Sequence, residues 1–179
     1  MAAWLHTAAT PALTDFLLWV SWIHGIVGIL TLTAIAAIAA WRYSNRWPAA
    51  ALLVTVPSGL LLNVAVKHAV QRPRPHWGYA LQALETYSFP SGHIVGATLF
   101  YGIVVAWLWP RVSSVGARAA MLMAAALLVL VVATSRIVVG VHFLSDCVAA
   151  VIEAGVWLAI CLTTPRGPVA FPSQPPAQP

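Results

Sequence analysis

Residues Tyr87–Ile94 read YSFPSGHI, and the run that follows, Ile94–Trp109, is almost wholly apolar. Three of these residues suit a helix start. Ser91 is placed to cap free N–H groups, Pro90 to close the preceding loop and Gly92 to relieve crowding. None of that requires the titratable ring of His93. Its purpose depends on which other residues reach the same end of the apolar helix it opens.

Composition narrows the setting. Hydrophobic residues make up 61% of the 179 and charged residues 7%, against about 25% charge in a soluble domain. The chain reads as a polytopic membrane protein. Met1–Thr14 carries no Lys or Arg, so the basic start of a cleaved signal peptide is missing and the first span is expected to be retained. The net charge is +5, but the nine basic residues are scattered among the spans; they form no nucleic-acid surface. Cys147 and Cys161, the only two cysteines, lack metal-ligand spacing and read as small packing residues. The proline-rich stretch Pro165–Pro179 is expected to be a disordered tail, which leaves residues 1–164 as the membrane domain.

A helical span needs about 20 apolar residues. Five segments qualify: Phe16–Trp41, Ala49–Val66, Ile94–Trp109, Ala117–Ala133 and Cys147–Thr163. The predicted fold is therefore an all-α transmembrane bundle. The loops sort into two sets. One holds Arg42, Arg46, Arg111, Arg118 and Arg166 with no acidic residue; the other holds Asp15, Lys67, Arg72, Arg74, Glu85, Arg136 and Asp146. Short basic loops stay in the cytoplasm. If the second set is held by function, the N-terminus and that set face the extracytoplasmic side and the C-terminus the cytoplasm. Trp41, Trp47, Trp107 and Trp109 fall at one expected interface and Trp19, Trp22 and Trp77 near the other, as belt anchors.

Three clusters in the second set stand out: KHAVQRPRP (Lys67–Pro75), PSGH (Pro90–His93) and SRIVVGVHFLSD (Ser135–Asp146). Span counting puts all three on one side, whichever way the protein points. Read singly, the cations are interface anchors, His142 an interfacial histidine and Asp146 a helix cap. Read together, they describe a site for a multiply charged anion. His142 and Asp146 are four apart and would be neighbours on a helix face, so the carboxylate can fix the imidazole tautomer and leave the other nitrogen as base or nucleophile. His93 adds a second imidazole, and Lys67, Arg74 and Arg136 add cationic donors suited to phosphate.

The pattern resembles the type 2 phosphatidic acid phosphatase superfamily, whose signature runs K-x6-RP, PSGH and SR-x5-H-x3-D. Lys67, Arg74 and Pro75, then Pro90, Ser91, Gly92 and His93, then Ser135, Arg136, His142 and Asp146 supply every position at the family's spacing. The resemblance implies six helices, three of them from PSGH onward. Here three are read from Ile94 onward and two before Lys67, so one N-terminal helix is missing or unusually short.

The resemblance also implies a covalent phosphatase mechanism with no metal or other cofactor. His142 would attack phosphorus, Asp146 would orient and stabilise its ring, and His93 would protonate the leaving oxygen and then activate water. Lys67, Arg74 and Arg136 would hold the non-bridging oxygens, with Ser91 and the Gly92 N–H as further donors. General physics fits these roles, because phosphoryl transfer needs charge stabilisation on the equatorial oxygens and an in-line nucleophile and leaving group. The four acidic residues are Asp15, Glu85, Asp146 and Glu153; they form no carboxylate cluster for Mg²⁺. The six-residue step from Arg136 to His142 does not fit one helix face, so a bend or a strand-like stretch is expected near Gly140. Pro73 and Pro75 hold Arg72 and Arg74 extended, ending the second span near Lys67–Val70.

Glu153, seven residues after Asp146, lies on much the same helix face about 10 Å deeper. It reads either as a structural partner of His24 or as a group lining the pocket beneath the phosphate. His68 and His76 read as interfacial polar residues. A membrane-level site implies an amphiphilic substrate, a polyprenyl or glycerolipid phosphate or diphosphate. Similar family members act on undecaprenyl pyrophosphate, phosphatidylglycerol phosphate or phosphatidic acid. Two other readings predict different features. A transporter or flippase-like binder of anionic lipids predicts charge continuing across the membrane, and soluble vanadate-binding relatives lack spans.

Overall fold

The computed structural model describes residues 9–43, 46–76 and 86–163. These form α1 (Pro11–Ile23), α2 (Ile26–Tyr43), α3 (Arg46–Val70), α4 (Gly92–Leu108), α5 (Val115–Val138) and α6 (Leu144–Thr163), with a 3₁₀ turn at Trp109–Arg111. Five helices are long and apolar enough to cross a membrane, namely α2, α3, α4 with its 3₁₀ extension, α5 and α6. The protein is thus an integral membrane helix bundle, as expected. The tail Pro165–Pro179, Trp77, Glu85, and residues 1–8, on which the side of the N-terminus turns, lie outside the described residues.

The expected first span, Phe16–Trp41, is not one helix. It divides at His24–Gly25 into α1 and α2. α1 starts cleanly: Thr10 caps it by accepting from the Leu13 N–H at 3.3 Å, and Pro11 sits at the first position. At 13 residues it is roughly 20 Å long, short of the ~30 Å hydrocarbon core. It packs against α5 more than against its neighbour α2. Gly28 permits the tight reversal: a Cβ there would stand 2.0 Å from the Ile23 carbonyl oxygen. Uniform hydrophobicity hides such a break from a span count. The unusually short N-terminal helix is α1.

α4, the helix that PSGH opens, is the centre of the bundle. It packs on α3, α5, α6 and α2, and Ile94, Val95, Ala97, Leu99 and Ile103 are all buried. A helix apolar on every side belongs in that position. In lipid, helices associate through close packing and polar contacts, because the surrounding chains are as apolar as the side chains. The α2–α3 seam follows this rule. α2 and α3 pack on each other, and small buried residues lie along both, Thr33, Ala37 and Ala40 on α2 and Ala49 and Ala51 on α3. α3, at 25 residues, is roughly 37 Å long by helix rise and lifts Lys67 toward the interface.

Candidate active site

Each motif sits where a helix starts or stops, and all of them meet at one end of the bundle. α3 ends at Val70 as expected. Gln71 takes a left-handed conformation (φ 52°), and its N–H donates to the Lys67 carbonyl at 2.9 Å, an αL cap. From there the chain runs extended through Arg72 and Arg74, and the Arg72 carbonyl accepts from the Ser88 N–H at 2.8 Å. The first motif is thereby tied to the approach to PSGH.

The spacing of SR-x5-H has a local cause. Gly140 adopts φ 81°, its N–H donates to Ile137 at 3.0 Å, and the Val141 N–H donates to Arg136 at 3.3 Å. This is a Schellman motif, the cap that a left-handed glycine allows. The chain reverses at Gly140 and returns His142 to the end of the bundle where Arg136 closes α5. The expected bend is there, without any strand. The expectation that His142 and Asp146 share a helix face is corrected. His142 precedes α6, and Asp146 stands in its first turn. Asp146 Oδ2 accepts from the Phe143 N–H at 2.9 Å, the backward half of a capping box. Capping and site geometry are the same contact.

Asp146 is fully buried and shared by several donors. Oδ1 receives Arg72 Nη1 at 2.8 Å, and Oδ2 also receives a short hydrogen bond from the Ser88 hydroxyl. His142 Nδ1 lies 3.4 Å from Oδ2, within ion-pair reach but longer than a well-formed hydrogen bond. The other ring nitrogen, Nε2, lies 3.3 Å from Arg74 Nη1. Burial pushes the His142 ring down to about 4; the bond to Asp146 opposes this, and the cations Arg136, Arg74 and Lys67 reinforce it. At neutral pH the ring is uncharged and Nε2 keeps its lone pair. Burial also lowers the Arg74 guanidinium, against the pull of Asp146, yet arginine stays cationic in proteins.

Lys67, Arg74, Gly92, His93 and His142 line one cavity of about 270 Å³, together with Asn63, Thr86 and Ile26. Lys67 Nζ donates to the carbonyls of Tyr87 at 3.0 Å and Pro90 at 2.5 Å. Arg74 donates to the Thr86 carbonyl at 2.7 Å, to Thr86 Oγ1 at 2.9 Å and to the Val141 carbonyl at 2.9 Å. Both cations thus brace the segment leading into PSGH as well as facing the cavity. Arg136 is fully buried behind the lining and donates to Ser21 of α1. Ser91 occupies the N-cap position of α4 but makes no side-chain cap bond, contrary to expectation. Its buried hydroxyl has no hydrogen-bond partner among the described residues. The first N–H groups of α4 have no partner inside the helix, so the cavity meets a helix N-terminus suited to an anion. Among the described residues no group of three or more His, Cys, Asp or Glu has the arrangement of a metal site.

Other expectations change. His24 is not the partner of Glu153. It sits at the α1–α2 break, with Nδ1 2.9 Å from the Val20 carbonyl and Nε2 2.8 Å from the Tyr101 hydroxyl. Glu153 Oε2 instead accepts from Asn63 Nδ2 at 3.1 Å. Asn63, buried and one turn before Lys67, is on the cavity lining, and Glu153 stands behind it. His68 packs edge-on against Tyr87 and His76 is exposed. Cys147 and Cys161 are buried free thiols. Asn63, Arg72, Thr86 and Ser88 were not singled out as site residues. Asn63 carried a signal, as an amide inside an apolar span; Ser88 lies within the stretch quoted first.

A lysine, arginines, histidines and an aspartate thus converge around one small cavity at one end of a bundle of membrane helices, a candidate anion site. The PAP2 superfamily model matches residues 48–168, and the chain belongs to that superfamily. It is 28% identical over 105 residues to phosphatidylglycerophosphatase B of Bacillus subtilis, a match covering 58% of this chain and 51% of that protein. The chain therefore spans about half the length of this curated relative. In fold it is similar to the crystal structure of a transmembrane PAP2-type phosphatidylglycerolphosphate phosphatase from Bacillus subtilis (TM-score 0.80, 22% identity, 89% of this chain and 79% of that one). It is also similar to Aquifex aeolicus LpxE (TM-score 0.68, 19% identity, 89% and 90%).

Proposed function

We propose that the protein hydrolyses a membrane lipid phosphate or diphosphate through a phosphohistidine intermediate, without a metal ion. The observation that carries this reading is the two-sided environment of His142. Nδ1 faces the Asp146 carboxylate and Nε2 faces Arg74, in a cavity that His93 and Lys67 also line. In the first step the Nε2 lone pair forms a bond to phosphorus while the bond to the leaving oxygen breaks, and protonated His93 delivers a proton to that oxygen. Asp146 stabilises the positive ring that results. In the second step His93 takes a proton from water, the hydroxide forms a bond to phosphorus, and the P–N bond breaks to return neutral His142. Lys67, Arg74, Arg136, the Ser91 hydroxyl and the α4 N-terminus compensate charge on the non-bridging oxygens. The location of the cavity at a bundle end favours a substrate anchored in the bilayer, a glycerolipid or polyprenyl phosphate. The name of the Bacillus subtilis relative points the same way.

The test is phosphate release from a panel of such lipids in detergent, with and without EDTA. Release that survives EDTA is expected; complete loss restored by Mg²⁺ would overturn the metal-free mechanism, and no release from any lipid would overturn the function. The arginines at the other end of the bundle support an extracytoplasmic site. Single cysteines at Ala80 and Ser114, in a background lacking Cys147 and Cys161, are expected to label oppositely in intact cells, Ala80 with an impermeant maleimide and Ser114 without. The reverse pattern would place hydrolysis in the cytoplasm.

A further inference from the structure

We propose that the hydrocarbon chain of the substrate lies in the groove at the α1–α2 break and leaves the phosphate on the His93 side; this rests on the lipid phosphatase reading above. A cavity of about 710 Å³ runs along the break, lined mainly by apolar residues such as Trp22, Ile26 and Val27, with the hydroxyls of Ser21 and Thr31, and reaches His93. Ile26 and His93 line both this groove and the phosphate cavity, whereas His142 lines only the latter. In-line displacement puts nucleophile and leaving group on opposite sides of phosphorus. With His142 on one side, the leaving oxygen points to His93, and the chain attached through that oxygen continues into the groove His93 borders. For a diphosphate the second phosphate occupies the same direction and the chain follows it.

Gly25 keeps the junction passable. A Cβ there would stand 3.2 Å from the Trp22 carbonyl oxygen and 3.7 Å from His93 Nε2, so the glycine borders the ring. A second apolar groove, about 680 Å³ between α4, α5 and α6, includes Val148 and Leu122 but shares no lining residue with the phosphate cavity. Size alone does not separate the two grooves; continuity with His93 does. The break that shortens α1 therefore has a use, since a continuous helix through residues 24 and 25 would close the way to His93.

The experiment compares dioleoyl and dihexanoyl phosphatidic acid on the full-length protein. Thr31 is lipid-exposed, and Thr31→Trp fills the groove one turn beyond Val27. It is expected to lower the long-to-short ratio of kcat/KM at least tenfold, while Val148→Trp in the other groove leaves that ratio unchanged. An unchanged ratio in Thr31→Trp, or an equal fall in Val148→Trp, overturns the proposal. A second measurement needs neither turnover nor a variant: a non-hydrolysable phosphonate lipid with a diazirine in its chain is photolysed on the wild-type protein. Labelling of the 22–32 segment, displaced by dioleoyl phosphatidic acid, is expected. Labelling confined to the α4–α6 groove, or equal labelling by a neutral diacylglycerol probe, overturns the chain site. No phosphate release from any lipid of the panel would instead defeat the phosphatase reading, and the photolabel would still locate the chain.

Discussion

Both ends of the bundle are rich in arginine, and they use it differently. At the end away from the cavity, Arg46 lies over Trp41 at 5.2 Å, Arg111 over Trp107 at 5.6 Å and Arg118 over Trp109 at 4.9 Å. Arg111 and Arg118 also donate to nearby backbone carbonyls. At the other end Arg72 also lies over an aromatic ring, Phe143 at 4.3 Å, but it is bonded to buried Asp146 as well. Arg136 is fully buried, and Arg74 faces a histidine. A cation over an indole in water is an anchor worth about 0.5–1 kcal/mol. Cations gathered around one buried carboxylate and one buried imidazole, themselves partly withdrawn from water, make a stronger field for an anion than exposed ones. Residue type alone does not distinguish an anchor from a catalytic group; burial and the neighbouring carboxylate do.

The contrast is tested most severely at the histidines. His142→Ala is expected to abolish both turnover and the phosphoenzyme. His93→Ala is expected to lose about 10²–10⁴-fold with lipid substrates, the usual worth of proton transfer. With p-nitrophenyl phosphate, whose leaving group needs little protonation, the His93 variant should recover its first step while His142→Ala does not. Equal burst amplitudes in the two variants would refute the division of roles. Next come the arginines. Arg72→Gln removes a charged hydrogen bond from Asp146, worth about 1.5–3 kcal/mol when buried. With the Arg72 side chain 34% exposed, the low end of that stability range applies, and kcat/KM should fall as Asp146 loses a donor. Arg111→Gln at the opposite end should cost stability no more than the anchor's worth of about 0.5–1 kcal/mol and change activity not at all. Similar losses in both variants would erase the distinction between the ends.

The His142 ring provides a finer test. Its folded pKa of about 4 lies below the ordinary 6.5. Above 6.5 the folded and unfolded rings are both neutral. As pH falls from 6.5 toward 4 the unfolded chain gains a proton that the folded ring refuses, so the His142 contribution to stability declines through that window. Nitrogen NMR of the ring in detergent should show it neutral from pH 7 to about 5; a titration near 6.5 would contradict the burial argument. The mildest change is Glu153→Gln. The glutamine keeps an acceptor for Asn63, so relative kcat/KM across a lipid panel should hold, whereas Asn63→Ala, on the cavity lining, should raise KM. A shift of selectivity in Glu153→Gln would return that residue to the pocket.

Much of the site's placement is legible in the sequence. The three motifs share an end because parity follows from counting apolar runs, and the bend at Gly140 follows from a spacing no helix face accommodates. The cap roles at Gly140 and Asp146 are local, settled within a few residues of chain. Some corrections are local, the break at His24–Gly25, the uncapped Ser91 and His142 standing before α6; the others join distant segments. As polar groups in apolar spans, His24 and Glu153 are possible partners by sequence, yet His24 meets Tyr101 across 77 residues and Glu153 meets Asn63 across 90. Arg72 reaches Asp146 across 74 residues, and Arg136 reaches Ser21 across 115.

Apolar run lengths and motif spacing carried the membrane class, the helical bundle and the gathering of Lys67, His93, Arg136 and His142 at one end. Those properties depend on covalent distance and on the cost of leaving backbone groups unpaired in lipid. The break of the first span at His24–Gly25, the sharing of Asp146 among Arg72, Ser88 and Phe143, and the partner of Glu153 needed the packed bundle. An apolar stretch reads the same whether it is one helix or two, and a buried polar group bonds whichever donor or acceptor helix packing brings within about 3 Å.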